Sequence, residues 1–366
     1  MNEHELAILR QFCLDAEPAS CTPYGCGHIN RTYLVATAGG RCYILQKINH
    51  HTFRDVAGLM ENIELVTEHL RRKSPDPRSV LTLIRTKDGK SYLEADDGYW
   101  RVFRFVEDSI CLQQPESDAD FYESAVGFGT FQQLLSDLPA EKLHETIPNF
   151  HNTPDRYRAF HETLTRDPMH RAAQVQPEIE FALARQAEMA ALQNALDAGE
   201  LPLRVTHNDT KLNNVLFDAK TRRALCIIDL DTVMPGSALY DYGDSIRFGA
   251  ATAAEDEREL DKMEMSLERF RVFTRGYVRA CPGLTQKELE LLPLGAKVMT
   301  MECGVRFLTD HIDGDNYFSI HREGQNLDRA HTQFKLVADM ERKWDKMKEI
   351  VNEEVQNAKE NGSCCI

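Results

Sequence analysis

Between Val205 and Arg247 the sequence gathers side chains that can take up a proton or hold a hard cation. Asp209 stands five residues ahead of Asn214, the chain then runs through Val215-Leu216-Phe217 to a polar turn at 218–223, returns through residues 224–228, and leaves with Asp229 and Asp231. Two short apolar runs around a polar turn make a hairpin. Its mouth then carries Asp209 and Asn214 on the entering side and Asp229 and Asp231 on the leaving side. Oxygen donors of this kind suit Mg²⁺, which takes one or two carboxylates and completes its shell with water and substrate phosphates. A carboxylate such as Asp209 can also serve as a general base. The alternative is that Asn and Asp are here only because they favour turns through local hydrogen bonds.

His207, Asp209, Lys211 and Asn214, followed by Asp229 at a strand end, have the spacing of a kinase catalytic loop. The stretch resembles the aminoglycoside and choline phosphotransferase family of small-molecule kinases. More narrowly, the segments HNDTKLNN, IIDLDTVMPGS and YDYGDSIRFG, with GHINRTYLV and MECGVRFL, resemble the N-acetylhexosamine 1-kinases, and the similarity covers nearly the whole chain. The resemblance implies an α+β, two-lobed protein-kinase-like fold, with a small, mostly antiparallel β lobe at 1–107 that binds nucleotide and a larger, mainly helical lobe at 108–366 for catalysis and sugar binding. It implies ATP and Mg²⁺ as cofactors, Asp209 as base, Lys211 on the transferred phosphate, and Asn214 and Asp229 on the metal. Asp241 falls where the superfamily has a buried aspartate that supports the loop backbone. Asn208 stands where regulated protein kinases carry the arginine that reads a phosphorylated activation loop, so control by phosphorylation is not expected.

Length and charge are compatible with this. A chain of 366 residues exceeds one ordinary core. A net charge of −15, from 43 basic and 58 acidic residues, repels phosphate backbones and anionic lipid, which argues against nucleic-acid or membrane partners. The early apolar run Ala7-Ile8-Leu9 is too short for a signal h-region or a membrane span, so a cytoplasmic protein, monomeric or weakly oligomeric, is expected. Ten cysteines without a Cys-x-x-Cys pair read as reduced thiols, and none of the 13 histidines falls in a zincin motif.

The elements that must position these residues can be read in order. Leu6, Leu9 and Phe12 mark a leading helix over residues 3–15. Gly25 and Gly27 lie in a turn before the strand at 31–35, where glycine lets the backbone approach phosphates. Residues 41–48 form the third strand, in which Ile44 and Gln46 share one face and Leu45 and Lys47 the other. The family's phosphate-binding lysine position falls on Gln46, and Lys47 then points away. Val56, Leu59, Met60, Ile63 and Val66 are the apolar stripe of the helix at 55–72, whose Glu61 and Glu64 are ion-pair candidates; the resemblance favours Glu64. A meander over 80–106 leads to a connector near Phe105 to Asp108, where the resemblance implies that backbone groups, those of Phe105 and Val106 among them, bind adenine. Helices follow around Phe121–Leu135 (with Gly127 and Gly129 open to a neighbour), 154–164, 177–196, after Ser266, after the Thr285/Glu288 capping box with a kink or restart at Pro293, and as one long helix over 326–357.

A sugar offers hydroxyls and little apolar surface, so its pocket needs directional polar groups. Arg247, Glu302, Arg306, Asp310 and Tyr317 are contributors on that ground, and the resemblance selects His28, Thr232, Arg247, Arg306 and Tyr317. The implied reaction is phosphorylation of the anomeric hydroxyl of N-acetylglucosamine or N-acetylgalactosamine. Two other readings stay open: a kinase of the same family for an amino alcohol or an aminoglycoside, and a non-catalytic pseudokinase. The second is disfavoured because Asp209, Asn214 and Asp229 are all present.

Overall fold

A computed structural model describes residues 3–25 and 29–362. Gly27 and His28 of the expected site, and Cys364-Cys365, lie outside them. The architecture is α+β and divides into two compact units: Met1–Cys111 with Asp137–Pro148 and Leu216–Pro235, and Leu112–Ser136 with Asn149–Val215 and Gly236–Ile366.

In the first unit, strands Pro18–Pro23, Arg31–Thr37, Cys42–Ile48, Gly98–Arg104 and Leu83–Ile84 lie side by side in that order, and Leu93–Ala95 also pairs with Gly98–Arg104. Every pairing is antiparallel. Alternation along these strands sends Val35, Tyr43, Leu45, Trp100 and Val102 into a core with Ile8, Leu9 and Phe12. The leading helix is shorter than its apolar spacing suggests, Glu3–Leu9, because Phe12 leaves the helix to bridge Thr86. Thr32, Gln46 and Arg101 are direct cross-strand partners on three neighbouring strands, so they form one row on the sheet. The helix Val56–Lys73 starts where the Asp55 carboxylate accepts the Gly58 N–H at 2.9 Å, and it buries Leu59, Met60, Ile63 and Val66. The hairpin Val215–Asp218 and Ala224–Ile227 is extended by Ser109–Cys111 into a three-stranded sheet.

The second unit is mainly helical. Helix Asp118–Leu134 packs on Leu267–Ala280 at Gly129, where an added Cβ would stand 2.9 Å from both the Ala280 Cβ and the Tyr277 carbonyl oxygen. Ala238–Gly249 crosses Gln286–Asp313 just as closely, since a Cβ on Gly243 would be 2.3 Å from the Gly295 oxygen. Ser266 caps one helix and Thr285 with Glu288 closes the capping box of another. Three expectations are corrected. Pro293 does not restart its helix, which is continuous over Gln286–Asp313. The segment 177–196 is broken into Gln176–Leu183, Gln186–Met189 and Ala191–Asp197. The terminal helix is two, Gln325–Arg342 and Trp344–Gly362. Among the described residues no helix is long and apolar enough to cross a membrane.

Candidate active site

The loop between the strand Arg204–Thr206 and the short turn Leu212–Asn214 carries the second unit's candidate residues. Its backbone is fixed from below by Asp241, which is 2 % exposed and accepts the N–H groups of His207 and Asn208 at 2.9 and 2.7 Å. Burial pushes the Asp241 carboxyl up, against these bonds and the nearby His207. Asp244 holds the next residue by accepting the Thr210 N–H at 3.1 Å. The ring of His207 is enclosed by Phe128 and Phe131 and takes the Asp209 N–H on Nδ1 at 3.3 Å, so it serves as an internal prop for the loop.

Asp209 is about one quarter exposed, and both of its oxygens are engaged. Lys211 Nζ lies 2.8 Å from Oδ1, while the Asn214 amide donates to Oδ2 at 3.2 Å and to the Asp209 carbonyl at 2.8 Å. Burial alone would raise this carboxyl, but the Lys211 charge and hydrogen bond, helped by Asn214, hold it below the usual aspartate range. Asp209 in turn holds Lys211 above the ordinary lysine range. Asp209 is therefore kept ionised, the form able to accept a proton. With Asn214 Nδ2 committed to Asp209, its Oδ1 is the atom left to meet a cation.

In the first unit, Gln46 and Lys47 part as their alternation requires. Lys47 ion-pairs with Asp97 at 2.6 Å and lies over Trp100 on the core side, away from the row that carries Gln46. Gln46 donates to Thr32 Oγ1 at 3.1 Å and accepts from Arg101 Nε at 2.9 Å. Arg101 continues to Asp231, with Nη1 2.6 Å from Oδ1 and both side chains almost wholly buried; the approach is an ion pair whose angle departs from a directed hydrogen bond. Asn30 Nδ2 closes the set on Asp231 Oδ2 at 2.5 Å. Gln46, which the motif resemblance sets at the family's lysine position, is thus an amide tied to a buried guanidinium. Glu64 pairs with Arg85 at 2.9 Å, not with the third strand. Asp229 has left-handed backbone, φ 59°, uncommon for a non-glycine residue, though Asp is among the types that adopt it. At the connector, the Phe105 N–H is used by the Cys42 carbonyl and the Val106 carbonyl by Ser109 Oγ. Gly25 has φ 81° with open space where a Cβ would stand.

Of the expected acceptor residues, Thr232 is buried in the first unit, in the turn Leu230–Thr232. The other described ones are in the second. Arg247 is 6 % exposed and its guanidinium is divided between Asp244 and Glu255, at 2.9 and 2.7 Å, which makes it a brace for the loop as much as a ligand contact. Arg306 is held by rings, lying 5.7, 5.7 and 5.3 Å from the centroids of Phe150, Tyr317 and Phe318, and Tyr317 is 67 % exposed. Asp310 is turned inward, where it accepts the N–H groups of Asn316, Tyr317 and Phe318 and so shapes the segment that presents Tyr317. Glu302 is closed off by His151 and Thr153. Glu302 and Asp310 thus each hold neighbouring groups of the protein. Arg101, His151 and Asp244 were missed by sequence reasoning, since nothing local distinguishes them.

A family profile described as "Phosphotransferase enzyme family" matches residues 20–272. Among solved structures, a microcompartment-associated aminopropanol kinase is 16% identical with a TM-score of 0.62, covering 94% of this chain and 98% of its own. An amicoumacin kinase in complex with AMP-PNP, Ca²⁺ and Ami is 14% identical, covers 92% and 93%, and gives 0.60. Choline kinase from Cryptosporidium parvum Iowa II is 13% identical, covers 96% and 98%, and gives 0.59. At these identities the likeness is one of fold, the protein-kinase-like fold. The profile match takes in the sheet, the connector and the whole His207–Asp229 stretch, and on that match over more than half its length the chain belongs to the phosphotransferase enzyme family.

Proposed function

We propose that this phosphotransferase moves the γ-phosphoryl group of ATP to the anomeric hydroxyl of an N-acetylhexosamine, N-acetylglucosamine or N-acetylgalactosamine, giving the sugar 1-phosphate and ADP. The observation that carries the phosphoryl-transfer part is the Asp209 carboxylate, held ionised between Lys211 and Asn214 on a loop anchored to Asp241. Asp209 orients the acceptor hydroxyl and takes its proton as the oxygen attacks phosphorus and the bond to the ADP oxygen breaks. Lys211 meets the charge on the transferred phosphoryl group. Residues 1–107 are the proposed nucleotide-binding part, with Gly25, Gly27, Gln46, Glu64, Phe105 and Val106 toward ATP, and 108–366 the catalytic and sugar-binding part. One amide oxygen from Asn214 and one carboxylate from Asp229 are a donor set that fits Mg²⁺. When bound there, the metal supplies neutralisation of phosphate charge.

The sugar reading rests on the motif resemblance, with His28, Thr232, Arg247, Arg306 and Tyr317 as its contacts. ATP consumption measured over free hexoses, N-acetylhexosamines, choline and aminoglycosides separates these classes, and phosphorus NMR of the product identifies the position. Phosphate on the 6-hydroxyl, or turnover of methyl glycosides that lack a free anomeric hydroxyl, overturns the assignment.

Asn214→Ala and Asp229→Ala are each expected to raise the Mg²⁺ concentration needed for half-maximal rate and to lower turnover, because charge on the transferring phosphoryl is left uncompensated. Magnesium titrations superimposing on the parent for both variants remove them from the metal site.

A further inference from the structure

Asn208, directly ahead of Asp209, has left-handed backbone, φ 64°. A non-glycine residue in that region is strained by roughly 1 kcal/mol or more and needs its neighbours to hold it. Its N–H is taken by Asp241. Its carbonyl oxygen meets His151 Nε2 at 2.9 Å, and the other ring nitrogen, Nδ1, lies 2.9 Å from Glu302 Oε1. The second Glu302 oxygen accepts the Thr153 hydroxyl at 2.6 Å.

Both ring nitrogens of His151 therefore face acceptors. A backbone carbonyl has no proton to give, and an ionised carboxylate has none either. A neutral imidazole has one N–H, and either tautomer would set a lone pair against an oxygen at hydrogen-bond distance. We infer that His151 is an imidazolium in the folded protein, and that its Nε2–H sets the Asn208 carbonyl and through it the Asp209 carboxylate, making His151 a positioning residue of the catalytic loop. The surroundings fit a charged ring. Glu302, although raised by burial, is held below the usual glutamate range by His151 first and then by Arg306 and Arg156. Asp241 also faces the ring; burial pushes its carboxyl up, with His207 and His151 acting against that push. The Tyr240 and Phe150 rings, at centroid distances of 5.5 and 4.5 Å, complete the enclosure. Glu302 thus supplies the carboxylate that faces the ring.

The effect on turnover rests on Asp209 being the base, while the protonation state does not. Histidine-selective ¹⁵N NMR of the full chain is expected to show both His151 nitrogens protonated. In Glu302→Gln, whose amide can donate to Nδ1, the Nδ1 proton should be lost and the Nε2 proton kept. Two neutral substitutions then divide the ring's roles. The amide of His151→Gln reaches the Nε2 position and keeps the donor to Asn208, whereas that of His151→Asn reaches only the Nδ1 position beside Glu302. The glutamine variant should stay within about threefold of the parent kcat, and the asparagine variant should lose roughly tenfold to a hundredfold with KM for ATP unchanged, as expected of a misplaced reacting group. A neutral His151 ring, or equal kcat for the two variants at equal melting temperature, overturns the inference. Should no acceptor be turned over, the kinase reading fails on its own and the NMR still decides the state of His151.

Discussion

Asp209→Asn is expected to lower turnover by ~10²- to 10⁴-fold while folding and ATP binding survive. The substitution keeps the size of the side chain and one acceptor oxygen, so Asn214 still has a partner, but it removes the basic site. A loose phosphoryl-transfer transition state with late proton removal puts the loss toward the lower end of that range. The environment points the same way, because a carboxyl held below the usual aspartate value is always ionised near neutrality and is for that reason a weaker base. The acid limb due to Asp209 should accordingly fall below pH 3.8, the ordinary aspartate value. The linkage sign follows: a depressed carboxylate stabilises the fold above its unfolded pKa, and that contribution is lost as pH drops through the folded value. Here it is small, since Lys211 is more than a third exposed and solvent screens the pair. If Asp209 only shaped the turn, the variant would lose up to about 1 kcal/mol in stability and keep its rate. Thermal unfolding and single-turnover rates on one preparation separate the two, and normal melting with a rate within about threefold of the parent takes Asp209 out of the mechanism.

What could be read from the sequence divides by range. Asp209, Lys211 and Asn214 lie within six residues of one another, so their spacing is itself the signal, and the caps at Ser266 and Thr285/Glu288 are equally local. Helix breaks were not legible, because tertiary contacts set them. The break after Leu183 brings Arg185 onto Glu341 through two bonds of 2.9 and 2.8 Å. The break at Lys343 turns its ammonium onto Asp339 and the Met265 carbonyl, both at 2.8 Å. His151 touches the catalytic loop across 57 residues of chain, and a lone histidine between Phe150 and Asn152 carries no mark of that. Strand alternation predicted that Gln46 and Lys47 face opposite ways, but not that Arg101 lies opposite Gln46, because register depends on the turn lengths of the whole meander.

Arg101→Met should have the largest effect on stability. Arg101 and Asp231 expose 1% and 3% of their side chains, with Nη1 and Oδ1 2.6 Å apart. Removing the cation leaves a buried carboxylate with Asn30 as its remaining polar partner among the described residues and strips Gln46 of the Nε donor. Breaking one side of such a pair costs about 3–5 kcal/mol, and at a few degrees per kcal/mol for a chain of this size the melting temperature should fall by roughly 10 °C. The cost comes from the stranded charge and not from lost packing, so Arg101→Met with Asp231→Leu should recover a large part of it. Gln46→Lys, which writes in the lysine that the fold normally has at this position, should destabilise as well, because its ammonium would meet the Arg101 guanidinium. If the pair instead contributed little, as exposed pairs do, Arg101→Met would melt within about 2 °C of the parent and the double variant would be no more stable than the single. That pattern in differential scanning calorimetry would sink the claim that a buried Arg101–Asp231 pair, and not a strand lysine, braces this sheet.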